Sequence, residues 1–163
     1  MSTPLILAFY YGHGTPVDRL IRTATRSPFS HVELVADCLP PPDATWWECR
    51  AISSSARDGG VREKTIVCGL DKWVFLPLTG WQPADAWQRA AAQIGKPYDY
   101  AGIVMNFTVP LRRHLRDSWF CSELSGNALG LHAPHTMSPG DLYYRVRGLN
   151  EAFVNGQLNP PPR

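Results

Sequence analysis

The chain opens on an apolar run, PLILAFY at residues 4–10, closed by the turn-forming Tyr11-Gly12-His13-Gly14. A run this short, bounded by glycines, reads as a first strand. Thr15-Pro16 then has the form of an N-cap followed by proline at the first helical position, and Val17, Leu20, Ile21 and Ala24 recur at helical spacing. A helix is expected over about 15–26, stopped ahead of Ser27-Pro28. From Ser30 the period changes to two: in SHVELVAD, His31, Glu33 and Val35 share one face and Val32 and Leu34 the other. The second strand therefore carries a polar pair on one side.

Cys38-Leu39-Pro40-Pro41-Pro42-Asp43 is a rigid loop, and TWWECRAIS at 45–53 reads as the antiparallel partner strand. Ser54 to Gly60 is a turn ending in Asp58-Gly59-Gly60. VREKTIVC and KWVFLPL resume strand character, which gives a sheet of about five strands with hairpin connections. After Gly80 the texture becomes helical: Pro83-Ala84-Asp85 opens AWQRAAAQI, rich in helix formers and stopped at Gly95. Residues 96–120 are aromatic-rich loop with some helix, CSELSGNALGL predicts a helix from Cys121 to about Leu129, and a further short helix is expected at 139–147. The fold class is α+β, with residues 1–155 as a single domain and 156–163 as a flexible tail.

Composition narrows the function. The 163 residues are 44% hydrophobic and 18% charged, enough for one core, and a formal net charge of +2 sets up no field that recruits nucleic acid or a membrane surface. No nucleic-acid partner is expected. The first apolar run is too short for a transmembrane segment and lacks the basic flank of a signal peptide, so a cytoplasmic location is expected. Cys38, Cys49, Cys68 and Cys121 are separated by 11, 19 and 53 residues without a CxxC pair, which argues against zinc and for free thiols in a reducing compartment. His132 and His135, interrupted by Pro134, read as a surface loop; no metal and no cofactor are expected. The Gly12-His13-Gly14 triplet lacks the further glycine and the Lys-Ser/Thr of a phosphate loop.

Cys121 stands apart by position. It belongs to the first turn of a helix, where unpaired N–H groups and the dipole favour a thiolate. His31 is its natural partner, because an apolar strand places His31 and Glu33 on one face only where that face borders a cleft. A cysteine at a helix start facing a histidine on a strand is the arrangement in which imidazole takes the thiol proton and later protonates a leaving group.

The order of motifs resembles the circularly permuted NlpC-type papain-fold proteins, in particular the YiiX-like branch. The residues that carry the resemblance are Thr25, Ser27, Ser30, His31 and Val32; Gly59, Gly60, Val61 and Arg62; Gly95, Pro97, Tyr98, Asp99 and Tyr100; and Phe120 through Leu124. It spans about residues 5–145, and His31 precedes Cys121 by 90 residues, the order of the permuted branch. The resemblance implies a papain-like fold with the catalytic helix packed on the sheet, Cys121 as nucleophile and His31 as general base. The group that orients His31 stays open among Glu48, Ser53, Ser54 and Glu33, with a carboxylate preferred because it stabilises an imidazolium. Tyr98, Tyr100 and Ser122 are the candidate substrate-binding residues, one tyrosine donating toward a developing oxyanion.

The expected function is a thiol hydrolase that cleaves an amide of peptide or peptidoglycan type, or an ester or thioester, with a small peptide, an acyl-amide or a lipid-like molecule as substrate. The alternatives are an acyltransferase and a non-catalytic peptide- or assembly-binding module of bacterial, phage or prophage origin. Arg112, Arg113 and Arg116 read as a solvated helix face.

Overall fold

A computed structural model describes residues 5–36, 38, 41–102 and 118–157. Arg112, Arg113 and Arg116, most of the 103–118 loop, part of the proline loop and the end of the expected tail lie outside the described residues. The fold is α+β, built on one five-stranded antiparallel sheet: β1 (Ile6–Tyr10), β2 (His31–Ala36), β3 (Trp46–Ser55), β4 (Gly60–Gly69) and β5 (Trp73–Pro77). Helix α1 (Pro16–Thr25) joins β1 to β2, and α2 (Pro83–Ala91), α3 (Cys121–Ala128), a 3-10 turn (Pro134–Thr136) and α4 (Pro139–Val154) follow the sheet.

Local chemistry sets the helix starts. Thr15 and Asp18 form a reciprocal capping box at α1, Thr15 donating its N–H to Asp18 Oδ2 at 2.6 Å, and Ser138 and Asp141 repeat the device at α4. With Leu142 and Val146 buried as its anchors, α4 runs sixteen residues, well past the expected 147. In α1 only Ile21 is buried; Val17 and Leu20 are 51% and 58% exposed. The helical spacing was correct there, but α1 crosses the rim of the sheet and not its centre.

The strand order β4-β3-β2-β1-β5 departs from a simple run of hairpins, because β5 pairs with β1 at the far edge from β4. Only residues 70–72 join β4 to β5. Four Cα steps reach at most about 14 Å, whereas four strand spacings of a flat sheet measure about 19 Å. The sheet must therefore curl until its two edges approach. Its concave side carries Ile6, Ala8, Val35, Trp47, Cys49, Ala51 and Cys68, with Trp47 and Phe75 in ring contact at 5.2 Å across the curl. The convex side carries Leu7, Phe9, Val32, Leu34 and Ile52, against which α2, α3 and α4 pack.

Helix α3 is buried on nearly every side, Asn127 excepted. Gly126 is required there, since a Cβ would lie 2.8 Å from Pro134 Cβ. The cysteines correct the expectation of free thiols: Cys38 and Cys49 form a disulfide with an S–S distance of 2.09 Å, leaving Cys68 and Cys121 free. The reason is the register Ala36↔Arg50, which puts Cys38, two residues past Ala36, within reach of Cys49, the neighbour of Arg50. Among the described residues no helix is long and apolar enough to cross a membrane.

Candidate active site

His31 is the first residue of β2 and lies opposite Tyr10, at the end of the curled sheet where β2 and β3 part. Their pairing covers only Leu34–Ala36 against Arg50–Ile52, and beyond it Ser53 donates its hydroxyl to the Val32 carbonyl at 2.7 Å. Ser54 donates to the carbonyl of Trp119, two residues ahead of Cys121. Tyr98 and Trp119 form a parallel bridge, Trp119 N–H bonds to Pro97, and Val61 N–H bonds to Lys96. The four quoted motifs thus come together through backbone pairing and the Ser53 and Ser54 hydroxyls. Gly60 allows this approach, because a Cβ there would lie 2.2 Å from the Lys96 carbonyl oxygen.

The three chemical groups meet at this junction. His31 Nε2 lies 2.8 Å from Glu33 Oε1, and the imidazole also interacts with the Cys121 side chain by hydrogen bonding and charge. With Nε2 engaged by Glu33, Nδ1 is the ring nitrogen left for the sulfur. The His31 side chain keeps about one fifth of its surface open (21%) while that of Glu33 keeps 3%. Burial pulls the imidazole pKa down, but Cys121 and Glu33 together outweigh it and hold His31 well above its ordinary 6.5. For Glu33, burial pushes upward and is overcome by hydrogen bonds and charge from Arg62 and His31, so the carboxyl lies below its ordinary 4.5.

Arg62 is the residue whose part the sequence left unread. Its guanidinium grips Glu33 with both prongs, Nη1 to Oε2 at 2.7 Å and Nη2 to Oε1 at 2.5 Å, and its Nε donates to Asp58 Oδ2 at 2.7 Å. Lys64 closes the series on the same Asp58 oxygen, also at 2.7 Å. The available signal was the strand period: Arg62 pairs with Ser53 across β3 and β4, on the concave face that carries Glu33.

The other candidates separate. Glu48 is exposed, and its even position on β3 puts it with Ile52 on the convex face, away from His31; the structure does not bring it to the site. Ser53 and Ser54 are committed to backbone carbonyls. Ser122 is buried and donates to the Met137 carbonyl at 2.7 Å, so it ties α3 to the 3-10 turn and does not face the cleft. Tyr98 is buried and lines the cleft, with its phenol pushed up by burial first and then by the Cys121 charge. Tyr100 is 60% exposed, stacks edge-on against Tyr98 at 4.8 Å and donates to the Ala56 carbonyl.

A cleft of about 560 Å³ opens over this face, walled by Tyr10, Val17, Ile21, Trp73 and Tyr98 with His31 and Glu33 in its lining. Farther along the concave face the sulfurs of Cys38, Cys49 and Cys68 lie within 4.8 Å of one another, a gathering that the irregular sequence spacing concealed. Two of these form the disulfide, so Cys68 alone has a thiol to offer a metal, and burial with the Glu33 charge pushes that thiol up to about 12.

Protein-family models give no match to the chain, and curated proteins give none either.

Proposed function

We propose that the chain is a thiol hydrolase that cleaves an amide, ester or thioester through an acyl-enzyme on Cys121, on a fold of the permuted papain-like type. The observation that carries this reading is one imidazole held between a thiol and a buried carboxylate on the wall of a cleft. Cysteine at the start of α3 meets the helix dipole, and His31 Nδ1 receives the Sγ proton. The thiolate attacks the substrate carbonyl carbon, and the oxygen that gains the electron pair is met by the Cys121 backbone N–H and the Tyr98 hydroxyl. Collapse expels the amine, alcohol or thiol, which leaves with the proton from His31. Water, giving a proton back to His31, attacks the thioester and releases the acid and the free thiol. Glu33 keeps Nε2–H of the ring oriented throughout.

The aliphatic and aromatic walls of the cleft, Val17, Ile21, Trp73 and Tyr10, favour a substrate with an apolar acyl part. The same lining supports acyl transfer as a second reading, with an alcohol or amine in place of water. The deciding experiment is a screen of N-acyl dipeptides and fatty-acyl esters with mass spectrometry of the quenched protein. An acyl adduct on the Cys121 peptide, absent in His31→Ala, is the expected result. Turnover that survives Cys121→Ala, or no adduct with any acyl class, would sink the reading and leave a non-catalytic cleft.

A further inference from the structure

The charge series behind Glu33 is more than that carboxylate needs as a hydrogen-bond partner of His31. Glu33 is 2% exposed on a face it shares with Ala8 and Val35, and a buried carboxylate without a counter-charge takes up a proton. The consequence for His31 is chemical. A protonated Glu33 has an O–H to donate, and across the 2.8 Å contact its acceptor would be Nε2. Nε2 accepts only when it carries no hydrogen, and the neutral ring then holds its proton on Nδ1. Nδ1–H points at the sulfur with nothing to accept the thiol proton. An ionised Glu33 imposes the opposite: Nε2–H donates to the carboxylate, and Nδ1 is the nitrogen that takes up and returns the Cys121 proton.

We propose that Arg62 is a positioning residue that selects the productive tautomer of His31, by holding Glu33 ionised and fixed through its two-pronged grip. Asp58 and Lys64 serve the same end one step removed. The Asp58 carboxylate on Nε holds the guanidinium from behind while its fork meets Glu33, and Lys64 offsets the charge of Asp58. The inference rests on the hydrolase reading of Cys121 and His31. Lysine could supply the charge but not both prongs and the third bond to Asp58, so charge and geometry can be separated by substitution.

The test uses the full chain and two readouts. The first is the rate of iodoacetamide alkylation of Cys121 between pH 5 and 9, located by peptide mass. The second is the nitrogen-15 spectrum of the His31 ring, which reports the proton on each nitrogen. The charged and titratable groups around this pair are Cys121 and Tyr98 on one side, Arg62, Asp58 and Lys64 behind Glu33, and Cys68 farther along β4. In Arg62→Met, the proton leaves Nε2 and alkylation at pH 7 slows by about tenfold or more, the effect of one unit in the ionisation of the pair. Arg62→Lys recovers part of the rate.

A folded Arg62→Met protein alkylated within about twofold of wild type, with Nε2 still protonated, overturns the proposal. Should that variant not fold, Asp58→Asn, which takes the charge from the Nε and Lys64 contacts and leaves the two-pronged grip on Glu33, and the wild-type spectrum decide: a wild-type His31 without a proton on Nε2 overturns it equally. A wild-type Cys121 no more reactive than a peptide thiol defeats the hydrolase reading instead, while the His31 spectrum still answers for Arg62.

Discussion

The two free cysteines of this molecule stand in environments with opposite chemistry. At one end Cys121 meets His31, backed by Glu33, Arg62, Asp58 and Lys64 in alternating charge. At the other, Cys68 lies among Ile6, Ala8, Val35 and Ala51, beside the Cys38–Cys49 disulfide. Cys121 and Cys68 are both free and buried. What differs is the nearest charge. Cys68 finds desolvation and the negative Glu33, both opposing ionisation, and Cys121 finds an imidazole that can take its proton. Burial alone thus says nothing of reactivity.

The sharpest way to break this contrast is to exchange the two thiols' roles. Cys121→Ala and His31→Ala should each lower kcat/KM by about a thousandfold or more on any acyl substrate found by the screen, while Cys68→Ser stays within about twofold. A Cys68→Ser protein as inactive as Cys121→Ala would show that the sulfur end is part of the reaction.

Next in size is the charge pair. Glu33→Gln takes from Arg62 the buried one of its two anions, leaving Asp58 on Nε, and should cost about 3 kcal/mol near neutrality. Because the Glu33 carboxyl is lowered from 4.5 to about 2, its contribution is complete above 4.5 and is lost as pH falls toward 2. The Tm gap between wild type and Glu33→Gln should therefore close on acidification. His31 has the opposite sign: raised from 6.5 to about 10, its contribution is complete below 6.5 and is lost as pH rises through 10. Thermal melts of both proteins from pH 2 to 10 check the two limbs, and a gap that widens toward pH 2 would contradict the ion pair.

At the sulfur end the expected loss is in stability alone. Cys38→Ala with Cys49→Ala should lower unfolding free energy by about 2–4 kcal/mol in denaturant titration, with the alkylation rate of Cys121 unchanged. The smallest effect belongs to Glu48→Gln, which should alter neither activity nor stability by more than about 0.5 kcal/mol. A large loss of turnover there would place a second carboxylate in the site.

Much of the local structure was legible because it depends on near neighbours. Thr15-Pro16 and Ser138-Pro139 start helices where capping residues and prolines say they should, and the period of SHVELVAD put His31 and Glu33 on one face. The same period could have removed Glu48, yet only in combination with the register Leu34↔Ile52, which no local rule supplies. The apolar spacing of α1 was equally visible, but it could not say that Val17 and Leu20 stay exposed, Val17 on the wall of a cleft.

By itself, then, the sequence determined most of the elements, the placement of His31 and Glu33 on one face of a strand, and the placement of a cysteine at a helix start. These follow from dihedral preference, capping and side-chain period, all of which act over a few residues. The tertiary structure alone decided that Glu33 stands behind His31 and Glu48 does not, that Arg62 reaches Glu33 from β4, and that three irregularly spaced cysteines share one pocket of sulfur. Those outcomes depend on strand order and on the curl forced by the three-residue link from β4 to β5. Long-range pairing is set by the free energy of the whole core, and no short window of sequence contains it.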